Sequence, residues 1–282
     1  MSNDLGVRMP TGVDFEFVRT EPQARAAVGV LAAVWLRGSD EPVKPELALA
    51  FAHSGNYVVV VRKQGEVVGA AIGFRGADVD GPHLHSHIAG ILPQYRGSGL
   101  GYALKQHQRS WALQQGLERV VWTFDPLVGR NTYFNVVKLG AALTTYYVNF
   151  YGAMRDGINS GDETDRCLAT WRLSSSGVVS AAAGCFSPAD LGQARADGAV
   201  EALCRRSDGG PELAATDAAI RLIQTPKDIV GLRQTDPALA HAWRVAMRQA
   251  LTAAFADGLE VVGVTRDLWY VLAAADIVES TG

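Results

Sequence analysis

One stretch constrains this chain more than any other: Ile88-Ala89-Gly90-Ile91-Leu92-Pro93-Gln94-Tyr95-Arg96-Gly97-Ser98-Gly99-Leu100-Gly101. An apolar run that reads as a strand stops at a proline. A glycine-rich turn follows, and Tyr102 to Gln115 then reads as a helix closed by Gly116. Strand, glycine turn and helix N-terminus together make a place to hold phosphate. The first helical turn leaves backbone N–H groups unpaired, and the helix dipole favours negative charge there. Glycine lets a pyrophosphate approach the backbone and permits turns that need φ > 0.

The flanking sequence is punctuated in the same way. Val13 to Arg19 alternates as a strand does. Thr20-Glu21-Pro22 looks like a helix start, and Ala27, Val28, Leu31, Val34 and Trp35 carry a helical spacing over Ala24 to Trp35. A second short helix is expected over Glu46 to Ala52. Tyr57–Val61 and Glu66–Phe74, joined by Lys63-Gln64-Gly65, predict a hairpin, and Gly76 to Pro82 predicts a loop. His83 to Leu92 is the strand that enters the glycine turn. Glu118 to Phe124 is the next strand, stopped by Asp125-Pro126. Asn131 to Lys138 is a short helix closed by Gly140, and Leu143–Phe150 and Cys167–Leu173 are strands around a polar loop, Tyr151 to Asp165. The strand before the turn, its helix and the strand after it form a βαβ crossover. Those two strands should therefore be parallel inside a mixed sheet.

Ser174 to Gly184 is small and polar and reads as a loose connector. The expected organisation is a first domain over 13–173, a connector over 174–197 and an α/β extension over 198–282. In the extension, Gly198–Arg205 and Ala218–Gln224 suggest strands. Asp228–Arg233 suggests a short helix. Asp236-Pro237 caps a long helix from Ala238 to Ala256, and a terminal hairpin turns around Arg266-Asp267. Trp243-Arg244 on the long helix reads as core packing beside a surface charge, with an acceptor-pocket or dimer contact as the rival.

Composition excludes several classes of function. Lys and Arg number 26 against 29 Asp and Glu, leaving a net charge of −3 and no basic field to recruit nucleic acid or an anionic membrane. No apolar run approaches the roughly 20 residues of a membrane span. Met1 to Gly12 has no signal-peptide apolar core and reads as a short lead. Cys167, Cys185 and Cys204 are widely spaced and odd in number, which argues against a disulfide framework and suits a reducing, cytoplasmic setting. The glycine turn lacks the Gly-Lys-Ser/Thr of a P-loop, since Leu100-Gly101-Tyr102 stands at its end.

Gln94-Tyr95-Arg96-Gly97-Ser98-Gly99 fits the pattern Q/R-x-x-G-x-G/A, and the register from Arg96 to Gly101 fits it too. Here, and in the order of elements over Val13 to Leu173, the chain resembles the GCN5-related N-acetyltransferase (GNAT) superfamily. Lys138-Leu139-Gly140 falls where that family's second helix usually ends in Y-x-K-L-G-F. Asp125-Pro126-Leu127, Arg130 to Asn135 and Asp156 to Asn159 are similar to a bacterial branch of predicted acetyltransferases. The resemblance implies a mixed α/β fold of the acyl-CoA N-acyltransferase kind and acetyl-CoA, or another acyl-CoA, as donor; separately, no metal is expected. It implies that Arg96, Gly97, Ser98, Gly99, Leu100 and Gly101 hold the pyrophosphate, and that the pantetheine arm runs along Gly90, Ile91 and Leu92. Asn131 matches an asparagine that often touches the cofactor arm, and it reads equally as an N-cap.

The chemistry implied is direct attack of an amine on a thioester, which needs a deprotonated amine, a polarised carbonyl and a proton for the leaving thiolate. The acceptor is expected to be a small amine or amino-acid-like molecule. The family's usual proton donor, a tyrosine four residues before the glycine of K-L-G, is replaced here by Val136. Tyr133 is one turn earlier, and Tyr146, Tyr147 and Tyr151 are further candidates. His83, His85 and His87 alternate on one strand and share a face. His85 or His87 is a candidate to take the amine's proton, and Asp125 a candidate base or ammonium anchor, or else a turn residue before Pro126. The competing reading is a binder or sensor of acyl-CoA without turnover. The C-terminal region is open to three roles: a lid, packing beside the sheet, or a dimer contact.

Overall fold

The computed structural model describes residues 11–35, 42–152 and 162–274. They run β1 (Val13–Phe17), α1 (Glu21–Trp35), α2 (Pro45–His53), β2 (Tyr57–Lys63), β3 (Glu66–Asp78), β4 (Gly81–Ile91), α3 (Leu100–Gln114), β5 (Arg119–Phe124), α4 (Gly129–Tyr133), β6 (Ala142–Tyr147) and β7 (Arg166–Arg172). The chain continues with α5 (Ser176–Ala182), α6 (Leu191–Ala196), β8 (Val200–Arg205), β9 (Pro211–Leu213), β10 (Ile220–Gln224), α7 (Ile229–Thr235), α8 (Pro237–Ala256), β11 (Glu260–Val264) and β12 (Trp269–Ala273). This is the expected mixed α/β architecture, with strands and helices added beyond it. The described residues form two compact units, one holding 11–35, 42–122 and 171–184, the other 123–152, 162–170 and 185–274.

In the first unit β1, β2, β3 and β4 are successive antiparallel neighbours, and β4 pairs with β5 in parallel through Leu84↔Val120 and His85↔Val121. That parallel pair is the crossover expected around α3. Tyr57 to Val61 is buried throughout, because β2 is covered on both faces. On one face α1 turns in Ala24, Ala27, Val28 and Leu31, spaced for a single helical stripe, against Val58, Val60, Ala70 and Ile72. On the other, His107 and Trp111 of α3 meet Tyr57. The loop expected over 76–82 is instead a tight β3–β4 hairpin in which Asp78 pairs with Gly81. Gly81 takes φ +98° there, and the Arg119 guanidinium holds the turn together by bonding Asp78, Asp80 and the Gly81 carbonyl.

The stretch read as a loose connector carries α5 and α6. Its first part is fixed to α3. Arg109 donates to the Leu173 carbonyl from Nε at 2.9 Å and Nη2 at 2.7 Å, and the Tyr102 hydroxyl donates to the Ala181 carbonyl at 2.7 Å. Small residues there serve close packing, with Val178, Ala181 and Ala182 buried.

In the second unit β6 and β7 form an antiparallel pair, and five strands make a sheet in the order β11-β12-β10-β8-β9, in which β8 and β10 run parallel. Asp236 caps α8 by accepting from the Leu239 N–H at 3.0 Å, with Pro237 at the first helical position. The buried stripe of α8 includes Trp243, Met247, Ala250, Leu251 and Ala254. The division between compact units falls within β5, so α8 and its sheet share a unit with β6 and most of β7. Among the described residues no helix is long and apolar enough to cross a membrane.

Candidate active site

The glycine turn lies wholly in the first unit. After a single 3-10 turn at Pro93–Tyr95, Gly97 adopts φ +78° and Gly99 φ +83°, the left-handed region that favours glycine. Gly99 is the N-cap of α3, and its carbonyl accepts the first helical bond from Ala103 at 3.0 Å. No side chain caps α3. Ser98 turns its hydroxyl back to the Tyr95 carbonyl at 2.6 Å. The backbone N–H groups of Gly97, Ser98, Gly99, Leu100 and Gly101 therefore have no partner among the described residues. A Cβ placed on Gly97, Gly99 or Gly101 would meet nothing within 4 Å, so the space over the turn is clear. Unpaired donors, a 15-residue helix dipole and open space fit an anionic pyrophosphate.

The strand entering the turn divides its backbone between two edges. Leu92 N–H bonds the Val68 carbonyl at 2.9 Å, and this sets the antiparallel alternation with β3. Gly90, opposite Ala70, faces β3 with both its groups, while Ala89 and Ile91 present theirs to the other edge. The β4–β5 ladder covers only Leu84 and His85, so that edge is free of β5 beyond His85. There the Ala89 carbonyl accepts from Trp35 Nε1 at 3.1 Å. Of the three residues expected to carry an extended ligand arm, Ile91 has its N–H and C=O on the free edge. Gly90 and Leu92 are committed elsewhere, Leu92 also accepting from Tyr95 N–H at 2.9 Å. Gly90 is a glycine for a packing reason: a Cβ would stand 2.8 Å from Val34 Cγ1. Gly90→Ala should cost about 1–3 kcal/mol, since the stiff valine cannot swing away. Adding Val34→Ala should recover most of that loss in urea denaturation; a harmless Gly90→Ala would remove this explanation.

His85 and His87 share the face expected of them, with ring centroids 4.9 and 5.9 Å from Phe74. Ladder pairing slips between Ile72 and Gly73, leaving His87 as an extra residue of β4. His83 is buried and packs over Gly76 beside Arg119. Burial, and then the charges of His87, His83 and Lys105, pull the His85 pKa down to about 4. Its imidazole is neutral at pH 7 and a weak base.

Asn131, Tyr133 and Asp125 belong to the second unit. The N-cap of α4 is Val128, and Asn131 is inside the helix, with its N–H on the Val128 carbonyl at 2.8 Å; the N-cap alternative is excluded. Beyond Tyr133 the helix widens into a π turn, Phe134–Lys138, in which Leu139 N–H reaches back five residues to the Phe134 carbonyl. This extra width shifts the face of Tyr133 relative to that of Val136, so counting residues back from Gly140 does not carry over as a face. Both side chains are half-buried. Among the other tyrosines, Tyr146 donates to Asp165 Oδ2 at 2.6 Å. Burial and the adjoining Asp165 push its pKa far above the ordinary phenol value, which leaves it unsuited to give a proton. Tyr151 shares a hydrogen bond with Thr123 at 2.9 Å.

Asp125 is neither an accessible base nor an ammonium anchor, because two arginines already occupy it. Arg244 grips it bidentately, Nη1–Oδ1 and Nη2–Oδ2 both 2.9 Å, and Arg233 Nη2 lies 2.5 Å from Oδ2. Asp162 completes a buried quartet, its Oδ2 taking Arg233 Nε at 3.0 Å and Arg244 Nη2 at 3.0 Å. Burial by itself would raise the Asp125 pKa, but Arg244, with Arg233 and Arg166, outweighs burial and holds the carboxyl well below its usual range. Arg244 is fully buried, not a surface charge. Arg248 extends the network to Glu163 and Asp165.

Two features have no local sequence signal. One is the quartet itself. The other is Lys105 on α3, buried with its Nζ 3.7 Å from the Trp122 ring centroid, 3.1 Å from Ser86 Oγ and 3.0 Å from Gln108 Oε1. Among the described residues no group of three or more His, Cys, Asp or Glu side chains is placed to hold a metal.

Structures with similar folds include the ribosomal-protein-S18-alanine N-acetyltransferase of Escherichia coli, at 15% identity over 58% of this chain and 96% of that one, TM-score 0.46. Arabidopsis thaliana Naa50, in complex with a bisubstrate analogue, is 19% identical over 57% of this chain and 98% of its own, TM-score 0.45. A GNAT-family acetyltransferase from Streptococcus pneumoniae is 17% identical over 56% and 98%, TM-score 0.45. No curated protein sequence matches the chain. The model of the acetyltransferase (GNAT) family matches residues 28–131, from inside α1 through the glycine turn and α3 into α4, and over this segment the chain is similar to the GNAT family.

Proposed function

We propose that this protein is an N-acyltransferase that moves an acyl group, most simply acetyl, from acyl-CoA to the primary amine of a small or amino-acid-like acceptor. One observation carries the reading: the row of unpaired N–H groups from Gly97 to Gly101 at the start of α3, under open space. Those donors would hold the pyrophosphate, with Arg96 beside them. The Ile91 N–H and C=O on the free edge of β4 would pair with the pantetheine arm. Donors on that edge are also suited to polarise the thioester carbonyl, so that charge developing on its oxygen meets fixed N–H groups. The amine attacks the carbonyl carbon, its proton passes to a base, and the C–S bond breaks to release coenzyme A. His87, or His85 at its lowered pKa, is the proposed proton acceptor, and Tyr133 the proposed donor to the thiolate. Thiolate is a good leaving group, so water can fill that last role. Asn131 is retained as a contact to the cofactor arm. In this reading 13–173 is the acetyltransferase domain and 198–282 its extension, and the protein works in the cytoplasm.

A second reading, an acyl-CoA binder without turnover, draws support from Val136 at the usual acid position and from the low basicity of His85. Isothermal titration with coenzyme A, paired with a thiol-release assay over a panel of amines, separates the two. Binding with turnover supports the enzyme, and binding alone the sensor. Gly99→Glu sets a carboxylate where the pyrophosphate would lie and should weaken coenzyme A by about 100-fold. Gly99→Ala carries the same backbone strain without the charge and should weaken it far less. Equal affinities in Gly99→Glu and the unaltered protein would sink the donor-site assignment.

A further inference from the structure

The C-terminal stretch 185–274 contains nine arginines and lysines. Among the described residues six of them are ion-paired: Arg195 with Glu201, Arg206 with Asp208, Arg221 with Asp257, and Arg233, Arg244 and Arg248 in the buried network. The remaining three, Arg205, Lys227 and Arg266, all line one cavity of about 450 Å³, with Gln224, Trp269 and a single acid, Asp267. Chance would scatter unpaired cations over the surface. Here they converge.

The sheet explains the convergence. Arg205 ends β8 and Gln224 ends β10, and the two strands are parallel, so both deliver their carboxyl ends to the same side. Open α/β sheets bind ligands beyond the carboxyl ends of such strands. The turn between β11 and β12 comes to the same side, because Gln224 pairs with Trp269. That turn is held by Thr225 Oγ1 donating to the Leu268 carbonyl at 3.2 Å and by Leu268 N–H on the Thr265 carbonyl at 3.0 Å. Leu268 has φ +64°, a conformation leucine rarely adopts and one kept here by the fixed turn. Gln224 spends its carbonyl oxygen on Arg205 N–H at 2.9 Å, which leaves its amide N–H groups as donors. Buried Trp269 supplies an apolar wall.

We propose that this cavity binds a small phosphate monoester, its dianion held by Arg205, Lys227 and Arg266. Three cations against one carboxylate leave an excess charge of two, matching a phosphate dianion. Guanidinium forks suit its oxygens, and the lysine acts as a point charge. The volume admits a compact organic body against Trp269. The proposal is independent of the acyltransferase reading, since none of its residues lies in the glycine turn or on β4.

The test is isothermal titration of the whole chain with inorganic phosphate, glycerol 2-phosphate and succinate, with coenzyme A at saturation so that the glycine turn is not the site observed. Both phosphates should bind one to one, more tightly at pH 8 than at pH 5.5, because the second ionisation of phosphate lies near about pH 6. The triple variant Arg205→Gln, Lys227→Gln, Arg266→Gln should bind at least about tenfold more weakly, and Arg206→Gln, at a paired arginine, should bind as the unaltered protein does. If the triple variant does not fold, the double variant Lys227→Gln, Arg266→Gln, at two exposed positions, gives the same comparison. Absence of phosphate binding at millimolar concentration, equal affinity in the charge-removed variant, or a preference for succinate over both phosphates would overturn the assignment.

Discussion

Arg244→Met should cost on the order of 3–5 kcal/mol, the range expected when one partner is taken from a buried ion pair. The whole margin of a typical domain is about 5–15 kcal/mol, so this one change should leave the chain near its folding threshold. The quartet is electrically balanced, two carboxylates against two guanidiniums, and every member is buried. Removing Arg244 leaves Asp125 and Asp162 competing for Arg233 at a buried site, with the donors of Arg244 lost. Arg206→Ala is the control, because its pair with Asp208 is half-exposed on both sides and should contribute about 0–1 kcal/mol. Urea denaturation compares the two, and a loss in Arg244→Met no larger than in Arg206→Ala would show the quartet to be dispensable. Asp125 also predicts acid sensitivity. The folded pKa of Asp125 is depressed, so its contribution is complete above the unfolded value of about 4 and is lost as pH falls from there through the folded value.

Lys105→Met should change the pH dependence of stability in the alkaline direction. Burial pulls the Lys105 pKa down to about 7 from the ordinary lysine value. Between about pH 7 and 10.4 the unfolded chain therefore binds a proton that the folded chain does not, and stability rises with pH across that window. The limiting slope is about 1.4 kcal/mol per pH unit, so from pH 7 to pH 9 this one lysine should add roughly 2 kcal/mol. The methionine variant lacks that rise. It loses a donor to Gln108, a cost independent of pH, so the difference between the two profiles isolates the lysine. Parallel profiles from pH 7 to 9 would mean that the ammonium is solvated or compensated after all. The Trp122 ring 3.7 Å from Nζ is the compensating group to examine next.

Much of the fold was legible because its signals are local. The glycine turn, the proline before it and the helical stripe after it lie within one continuous stretch, and the βαβ connection makes its two strands parallel by chain length and handedness. Asp236-Pro237 announced α8, since a cap and a preset φ act within one turn. The loop expected over 76–82 failed because a remote residue, Arg119, closes that hairpin. The connector failed because low hydrophobicity in Ser174–Gly184 reflects close packing of small side chains, with Tyr102 bonding the Ala181 carbonyl and Arg109 the carbonyl of Leu173 just before the stretch.

The candidate site divides in the same way. The backbone donors of Gly97 to Gly101 follow from the sequence itself, as glycine conformations and unsatisfied N–H groups at a helix start are properties of a few consecutive residues. Side-chain roles do not. Asp125 lies 119 residues from Arg244 and 108 from Arg233, so only the folded chain could show that it is a structural anion and not a free base. The alternation of backbone edges that singles out Ile91 depends on the partner strand β3. The π turn after Tyr133 depends on how α4 is held, with Thr132 and Pro126 both bonded to the Tyr270 hydroxyl. The sequence alone thus determined where a row of unpaired backbone donors opens a helix, because that depends on local backbone geometry. Tertiary structure decided which charges are paired and which are not, because electrostatic partners are chosen by proximity in space and not by spacing along the chain.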